Sequence, residues 1–533
     1  VKRLNLLPSS RTHRSSFRPI ARPERWIHEF DRGGRRSDWD DFDKMCDAIG
    51  ERNAKIDFGP PDRYTSNVAD QPQTSGRLSA GMCPGLVDVV LMRIPPVLLL
   101  LCGLLFVSTV RGDDWPQWMG PGRDGVWRET GTLERFPQAG PRVLWRTPIA
   151  AGYAGPSVAG ERVFVMDFVT PDGRGTNNPG ARDKLSGVER LLCLDRDTGR
   201  EVWKIETQVD YNISYAGGPR VTPTVAGDLV YSLGAEGDLL CARVADGSMV
   251  WRKDLNDTYK CETPWWGFCG HPLVDGDKLL CLAGGVGSIA IALDRHTGTE
   301  LWKSLTASDP GYCPPSIIEH AGRRQLLIWT ADDLNGLDPE TGKVLWTHPL
   351  APKYKMSINI PQKSGDLLFA SGIGKVAAAL RFNEQGTAVS EVWKGTTTTG
   401  VYCANATPLI ADGVIYGCDC DSGHLRAVDL KTGKRLWESL KATTNDRPAP
   451  HATAFLVRHG DTGNKWVLFN ERGELILARL TPQGYEELSR AKVLEATGDA
   501  FGRPVVWTHP AFANRCVFVR NDREIVCVSL AAE

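Results

Sequence analysis

The sequence lacks an excess of either charge: 63 Lys and Arg face 64 Asp and Glu, for a net charge of -1. A general nucleic-acid binder carries a strongly basic domain, so that class is excluded. The sequence also lacks HExxH, a Cys-x-x-Cys pair and a GxSxG elbow, the common signatures of zinc-dependent hydrolysis and of an α/β-hydrolase nucleophile. SGIGK at 371–375 is only half of a phosphate loop and falls at a strand turn. Long apolar runs are scarce. One stands out, Val97 to Val107, and it is shorter than the ~20 residues of a membrane-spanning helix. No stable membrane span is expected.

That run begins after Met92 and Arg93 and is followed by Val110 and Gly112, at the -3 and -1 positions of a signal-peptidase site. Residues 92–112 are therefore expected to be a signal peptide cut after Gly112, and the protein to be secreted or periplasmic. Residues 1–91 are charged and Pro-containing, with no apolar period. They read as disordered, or as an extension upstream of a true start at Met92. Cys102 lies inside the apolar run, so a lipid anchor is not expected. Residues 113–140 read as a lead-in to a domain over 141–533.

Methionine is scarce, at seven, and tryptophan plentiful, at 17. The tryptophans mark an internal repeat. LLCLDRDTGREVW ends at Trp203, and related segments end at Trp251, Trp302, Trp346, Trp393 and Trp437, with Val493 where a seventh would stand. Each unit reads as two strands around a Thr-Gly turn, preceded by a second hairpin such as TPTVAGDLVYSLG. Four strands in roughly 50 residues is the pattern of a propeller blade. Counting from Trp145, the intervals are 58, 48, 51, 44, 47, 44 and 56 residues. The last 40 residues supply three strands (VVWTHPAF, RCVFVRN and EIVCVSL), and the strand around Trp145 supplies the fourth. The expected fold is all-β: an eight-bladed propeller of four-stranded antiparallel blades, closed by pairing 142–147 with strands near 525–530, and monomeric. The repeat Trp are read as packing between blades, not as a ligand box.

Residues 113–533 contain eleven cysteines. Cys193 and Cys241 read as small buried apolar residues. Cys516 and Cys527 are equidistant from Asn521-Asp522 and are expected to face each other across a hairpin, where an oxidising compartment would bond them. Cys261 and Cys269 bracket a loop short enough to staple. Asp419 and Asp421 offer carboxylates for Ca²⁺, although a hairpin turn accounts for them as well.

Where one blade leads into the next, the sequence repeatedly places an aromatic or a His. These are Tyr153, Tyr215, Trp266 with His271, Tyr312, Tyr402, His451, and Trp507 with His509. KMSINIP, with Met356 and Asn359, departs from the pattern. Such residues are expected to rim one mouth of the central funnel, as a site for a peptide or a small planar ligand. The alternative is that they plug the channel.

LDxxTGxxxW at 194–203, 293–302, 337–346 and 428–437, together with DWPQWMGPGRDGVW at 114–127, resembles the PQQ-like β-propeller repeat family. The resemblance implies eight blades and two directions of function. Some members are scaffolds of the BamB type; others are quinoprotein alcohol dehydrogenases. The enzymes hold pyrroloquinoline quinone and Ca²⁺ beside a disulfide of adjacent cysteines, with Glu, Asn and Asp ligands and an Asp base. No Cys-Cys pair occurs here, and the blades lack long insertions, so no cofactor and no catalytic or metal-binding residue is assigned. The first reading is an exported, non-catalytic binding or scaffold protein with a partner in the cell envelope or a small ligand at the funnel mouth. The second is a quinoprotein oxidoreductase using pyrroloquinoline quinone and Ca²⁺. The third is a purely structural envelope protein.

Overall fold

The computed structural model describes residues 113–532 other than 172 and 174. The expectations for 1–91 and for a signal peptide at 92–112 lie outside the described residues. Eight four-stranded antiparallel sheets form the ring. Blades 1 to 7 span 157–213, 224–254, 273–304, 316–349, 362–394, 409–439 and 454–492. Blade 8 combines strands within 511–529 with Val143–Pro148 as its outermost strand. The closure follows the expected register, with Val143 opposite Val528, Trp145 opposite Cys527 and Pro148 opposite Glu524.

The repeat motif has a physical basis in the turn between the third and outer strands. In blade 1 the Asp195 carboxylate accepts the backbone N–H and the hydroxyl of Thr198. Gly199 follows at φ +69, and a Cβ there would meet the Trp145 ring of blade 8 at 2.5 Å. The glycine is therefore required twice, for its backbone conformation and because the neighbouring indole lies on it. Trp145 Nε1 donates to the Arg196 carbonyl at 2.7 Å. Trp203, Trp251, Trp302, Trp393 and Trp437 make the same kind of bond to the next blade. Trp346 departs: it donates to Gln325 of its own blade at 2.6 Å and meets Phe382 of blade 5 edge-on. Buried apolar residues of adjacent blades share clusters, such as Phe164, Cys193 and Trp203 with Val230, Leu240 and Ala242. Cys193 and Cys241 are fully buried.

Four expectations need correction. Each outer strand carries a bulge immediately before its Trp, as where Trp203 pairs with Cys193 and Glu201 with Leu194. In blade 7 the same bulge falls between Ser489, opposite Leu477, and Glu487, opposite Ala478. Ser489, not Val493, therefore stands where the Trp would. In the last hairpin Cys516 pairs with Ser529, and Cys527 with Phe518. The Asn521 side chain accepts the N–H groups of Arg523 and Glu524, which moves the turn along the chain and sets the two cysteines diagonally on adjacent strands, both as free thiols. Cys261 and Cys269 are also free. Cys261 bonds the Leu255 carbonyl and Cys269 the Trp266 carbonyl, so the loop between them is held by backbone contacts, not stapled. Finally, VVWTHPAF is not one strand. Arg503–Val505 pairs with Gly498–Ala500 in a separate hairpin, and the inner strand of blade 8 is Ala511–Ala513.

The lead-in is built into the ring. Trp115 exchanges backbone bonds with Val158 of blade 1 at 2.9 and 2.8 Å, and Pro116 accepts from Val225 of blade 2. Val126–Trp127 adds a parallel fifth strand inside blade 7. Glu129 takes the Trp127 indole at 2.8 Å and the Arg515 N–H of blade 8 at 2.7 Å. Leu133 and Phe136 pack on the core that joins blades 7, 8 and 1, and the Phe136 N–H donates to Ser489 Oγ at 2.9 Å. The junction without a repeat Trp thus receives apolar side chains from another part of the chain.

Candidate functional site

Strand alternation gives the ring two unlike faces. Inner strands run from the face that carries the connections between blades to the face that carries the first turn of each blade. The lead-in lies against the turn face: Asp114 accepts from Gly160 and Trp127 from Gly460, both at such turns, and Gly125 accepts from Arg458 near the end of the inner strand of blade 7. From there it sends side chains into the channel. Trp118 stacks on His271 with ring centroids 4.8 Å apart and 9° between planes, and meets His509 edge-on at 5.4 Å. Arg123 donates to the carbonyls of His271, Pro272 and Pro315 and to Gln117. Among the described residues it has no carboxylate partner, and burial lowers its pKa to about 9. His271 and His509 are therefore axial, not rim, residues. Burial holds His509 at about 3 and His271 well below an ordinary imidazole, so both are neutral at physiological pH, and His271 Nδ1 accepts the Thr222 N–H.

The connection face is shaped by two departures from the repeat. The third and outer strands of blade 1, Asp183–Asp195 and Glu201–Ile213, are 13 residues each. The hairpin over 498–505 is extra. The two meet where Asn177 Nδ2 donates to the Asp499 carbonyl at 2.5 Å. Blade 1's extension also reaches the connection between blades 2 and 3: Trp265 Nε1 donates to the Pro179 carbonyl, and the Arg182 guanidinium lies 4.9 Å over the Trp265 ring.

Two aromatic groups result. Trp265, Trp266 and Tyr312 form one, with Trp266 edge-on to both neighbours at 6.4 and 5.8 Å. Tyr215, Trp507, Phe501 and His451 form the other, with successive centroids 6.1, 6.2 and 4.9 Å apart. Arg503 sits beside Phe501, bonds the Glu471 carboxylate at 2.8 Å and so faces the same anion as the Trp507 indole. Burial and the Arg503 charge lower His451 to about 4. Tyr153 lies against Arg220 and donates to Asn177 at 2.5 Å.

Of the sequence candidates, Tyr153, Tyr215, Trp266, His451 and Trp507 are half-buried on this face, and Tyr312 is buried beneath Trp266. Tyr402 does not join them. It is 2% exposed in the core of blades 5 and 6 and donates to the Thr396 and Thr399 carbonyls. Asn359 is buried and bonds the Ser371 and Cys403 carbonyls. Asp419 is bound by Arg426, Ser422 and the Tyr402 N–H, which makes it part of a turn. Among the described residues no three His, Cys, Asp or Glu side chains are grouped to hold a metal. The sequence reading missed Trp118, Arg123, Asn177, Trp265, Phe501 and Arg503. The 58-residue first interval was the one available signal, since it holds the extension of blade 1.

The family described as outer membrane protein assembly factor BamB matches residues 187–439 and 388–533. The outer membrane protein assembly factor BamB of Shewanella oneidensis is 22% identical over 249 residues, 45% of this chain and 61% of that protein. The glycerol dehydrogenase large subunit of Gluconobacter oxydans is 21% identical over 300 residues, 48% of this chain and 39% of that protein. The crystal structure of BamB from Moraxella catarrhalis covers 73% of this chain and 99% of that one, at 16% identity and a TM-score of 0.34. The chain spans about three fifths of the length of the BamB relatives it matches. No helix among the described residues is long and apolar enough to cross a membrane. With the match extending over 187–533 and falling on the repeats that build the blades, the chain belongs to the PQQ-like β-propeller repeat family described as outer membrane protein assembly factor BamB.

Proposed function

We propose that this protein is an exported, non-catalytic propeller that binds a protein partner of the cell envelope through its connection face, as a monomer. One observation carries the reading. Partly exposed Tyr215, Trp265, Trp266 and Trp507, with Arg182 and Arg503 beside them, collect on that face, while the lead-in closes the other. Aromatic and Arg side chains are the residue types that anchor protein interfaces, and the BamB relatives support a partner in the envelope.

The second direction, quinone chemistry, would need donors for its cation. Ca²⁺ needs six to eight oxygen ligands, several of them carboxylates. At the axis Trp118 fills the space between His271 and His509, and the charged group there is the Arg123 cation. These residues do not fit pyrroloquinoline quinone with Ca²⁺.

Site-specific photo-crosslinking in the producing cell tests the reading. A probe at Trp266 or Trp507 is expected to give a discrete protein adduct, and one at Arg162 on the turn face none. Trp266→Ala with Trp507→Ala should remove binding of the purified partner while costing no more than about 2 kcal/mol of stability. Dye-linked alcohol oxidation after addition of pyrroloquinoline quinone and Ca²⁺ would overturn the proposal.

A further inference from the structure

We propose that a groove beside the lead-in binds an extended, acidic peptide segment of another protein, added as a strand to the inner edges of blades 3, 4 and 5. The groove lies on the turn face, which the lead-in otherwise covers. It runs between the lead-in at Gln117, Gly122 and Asp124 and the inner strands at Val274, Ile317 and Lys363, with a volume of 360 Å³.

The lead-in itself supplies the pattern. Trp115 exchanges two backbone bonds with Val158 of blade 1, and Pro116 accepts the Val225 N–H of blade 2. Val158 and Val225 each stand one residue before the pair that closes the first turn of their blade, Ala159 with Arg162 and Ala226 with Leu229. Val274 of blade 3 and Lys363 of blade 5 hold the same place, before Asp275 with Lys278 and Ser364 with Leu367. Antiparallel ladders alternate, so that place turns the backbone N–H and C=O away from the second strand and toward the channel. Among the described residues no group bonds those of Val274 and Lys363 there. An open edge of this kind is a template for an added strand. Charge selects the segment. Asp124 is paired with Arg128, and Asp275 with Arg324. Arg123 is held by carbonyls and Gln117, and among the described residues neither it nor Lys363 has a carboxylate partner. An acidic side chain in the added segment supplies the missing anion. The site uses other residues than the connection face and stands independently of the partner proposed there.

Panning of displayed random heptapeptides on the purified full chain tests the proposal, followed by calorimetry and hydrogen exchange with one selected synthetic peptide. The selected sequences are expected to be rich in Asp and Glu, and the bound peptide to slow exchange at Val274 and Lys363. Val274→Pro removes the open donor at an edge position, where proline is tolerated, and should weaken binding roughly ten-fold. Lys363→Glu, which leaves the backbone unchanged, should weaken it at least as much and decides the matter if the proline variant does not fold. Methylating alternate N–H groups of the peptide should abolish binding for one set and spare it for the other. Failure to select any peptide, no preference for acidic residues, equal binding by Lys363→Glu, or protection of the connection face instead would overturn the proposal. Self-association of the chain that Lys363→Glu abolishes would also overturn it, by giving the groove to a second copy. Partner crosslinks from Trp266 would be untouched by any of these results.

Discussion

The two faces of the ring use the same residue types to opposite ends. On the turn face Trp115, Trp118 and Trp127 are each less than 5% exposed, and Arg123 bonds carbonyls of the inner strands. On the connection face Trp265, Trp266 and Trp507 keep part of their surface in water, and Arg182 and Arg503 lie against rings. What differs is the supply of a covering segment. Residues 113–136 cross the turn face from blade 1 to the blade 7–8 junction, whereas the connection face is built from connections that must leave one blade and start the next. Aromatic residues count as core or as surface according to whether another stretch of the chain lies over them.

Removing the cover should have the largest effect. A chain lacking 113–136 loses the fifth strand of blade 7, the channel filling and the Leu133–Phe136 packing. It is expected to melt far lower and to aggregate through the uncovered inner edge, as read by calorimetry and size-exclusion chromatography. If it stays monomeric at an unchanged midpoint, the two faces do not differ in the way described. Trp346→Ala, at a ring only 6% exposed, should cost about 3–5 kcal/mol in denaturant unfolding, as expected for loss of a large packed aromatic. Phe136→Ala should cost less, about 2 kcal/mol, because the ring is only half-buried.

Acid tests the channel. His271 and His509 have folded pKa values below the ~6.5 of an unfolded His, so the unfolded chain binds more protons between pH 6.5 and about 3. Stability should therefore fall as pH drops through that window. Glu189, buried and raised to about 7, acts in the opposite sense between about pH 4 and 7, so the difference between wild type and His509→Phe isolates the imidazole. A smaller acid loss in the variant is expected; an identical profile would place His509 in water. The smallest effect should come from the connection face. Trp266→Ala and Trp507→Ala are expected to cost about 1 kcal/mol or less each, whereas Tyr402→Ala, which opens the core of blades 5 and 6, should destabilise clearly.

Much of the fold was legible because the repeat encodes it locally. Asp195, Thr198 and Gly199 make their turn from their own side chains and backbone, and Gly199 must be bare because Trp145 rests on it. The seam was legible by subtraction, since three strands at one end need a fourth from the other. Register was less so. The turn led by Asn521 moves the partner of Cys516 two residues, from Cys527 to Ser529, and in blade 7 the bulge puts Ser489, four residues before Val493, at the Trp position; neither shift alters composition.

By itself, the sequence determined the blade, the number of blades, the closure and the packing of the repeat tryptophans between blades, because each depends on residues within about 50 positions of one another or on a count. Only the tertiary structure decided which aromatics form a surface. It put His271 and His509 under Trp118, sent Tyr402 into the core, and brought Asn177 to Asp499 across 322 positions. Those outcomes depend on where distant segments dock on the finished ring, and a hydrophobic pattern records that a residue will be covered without recording by what.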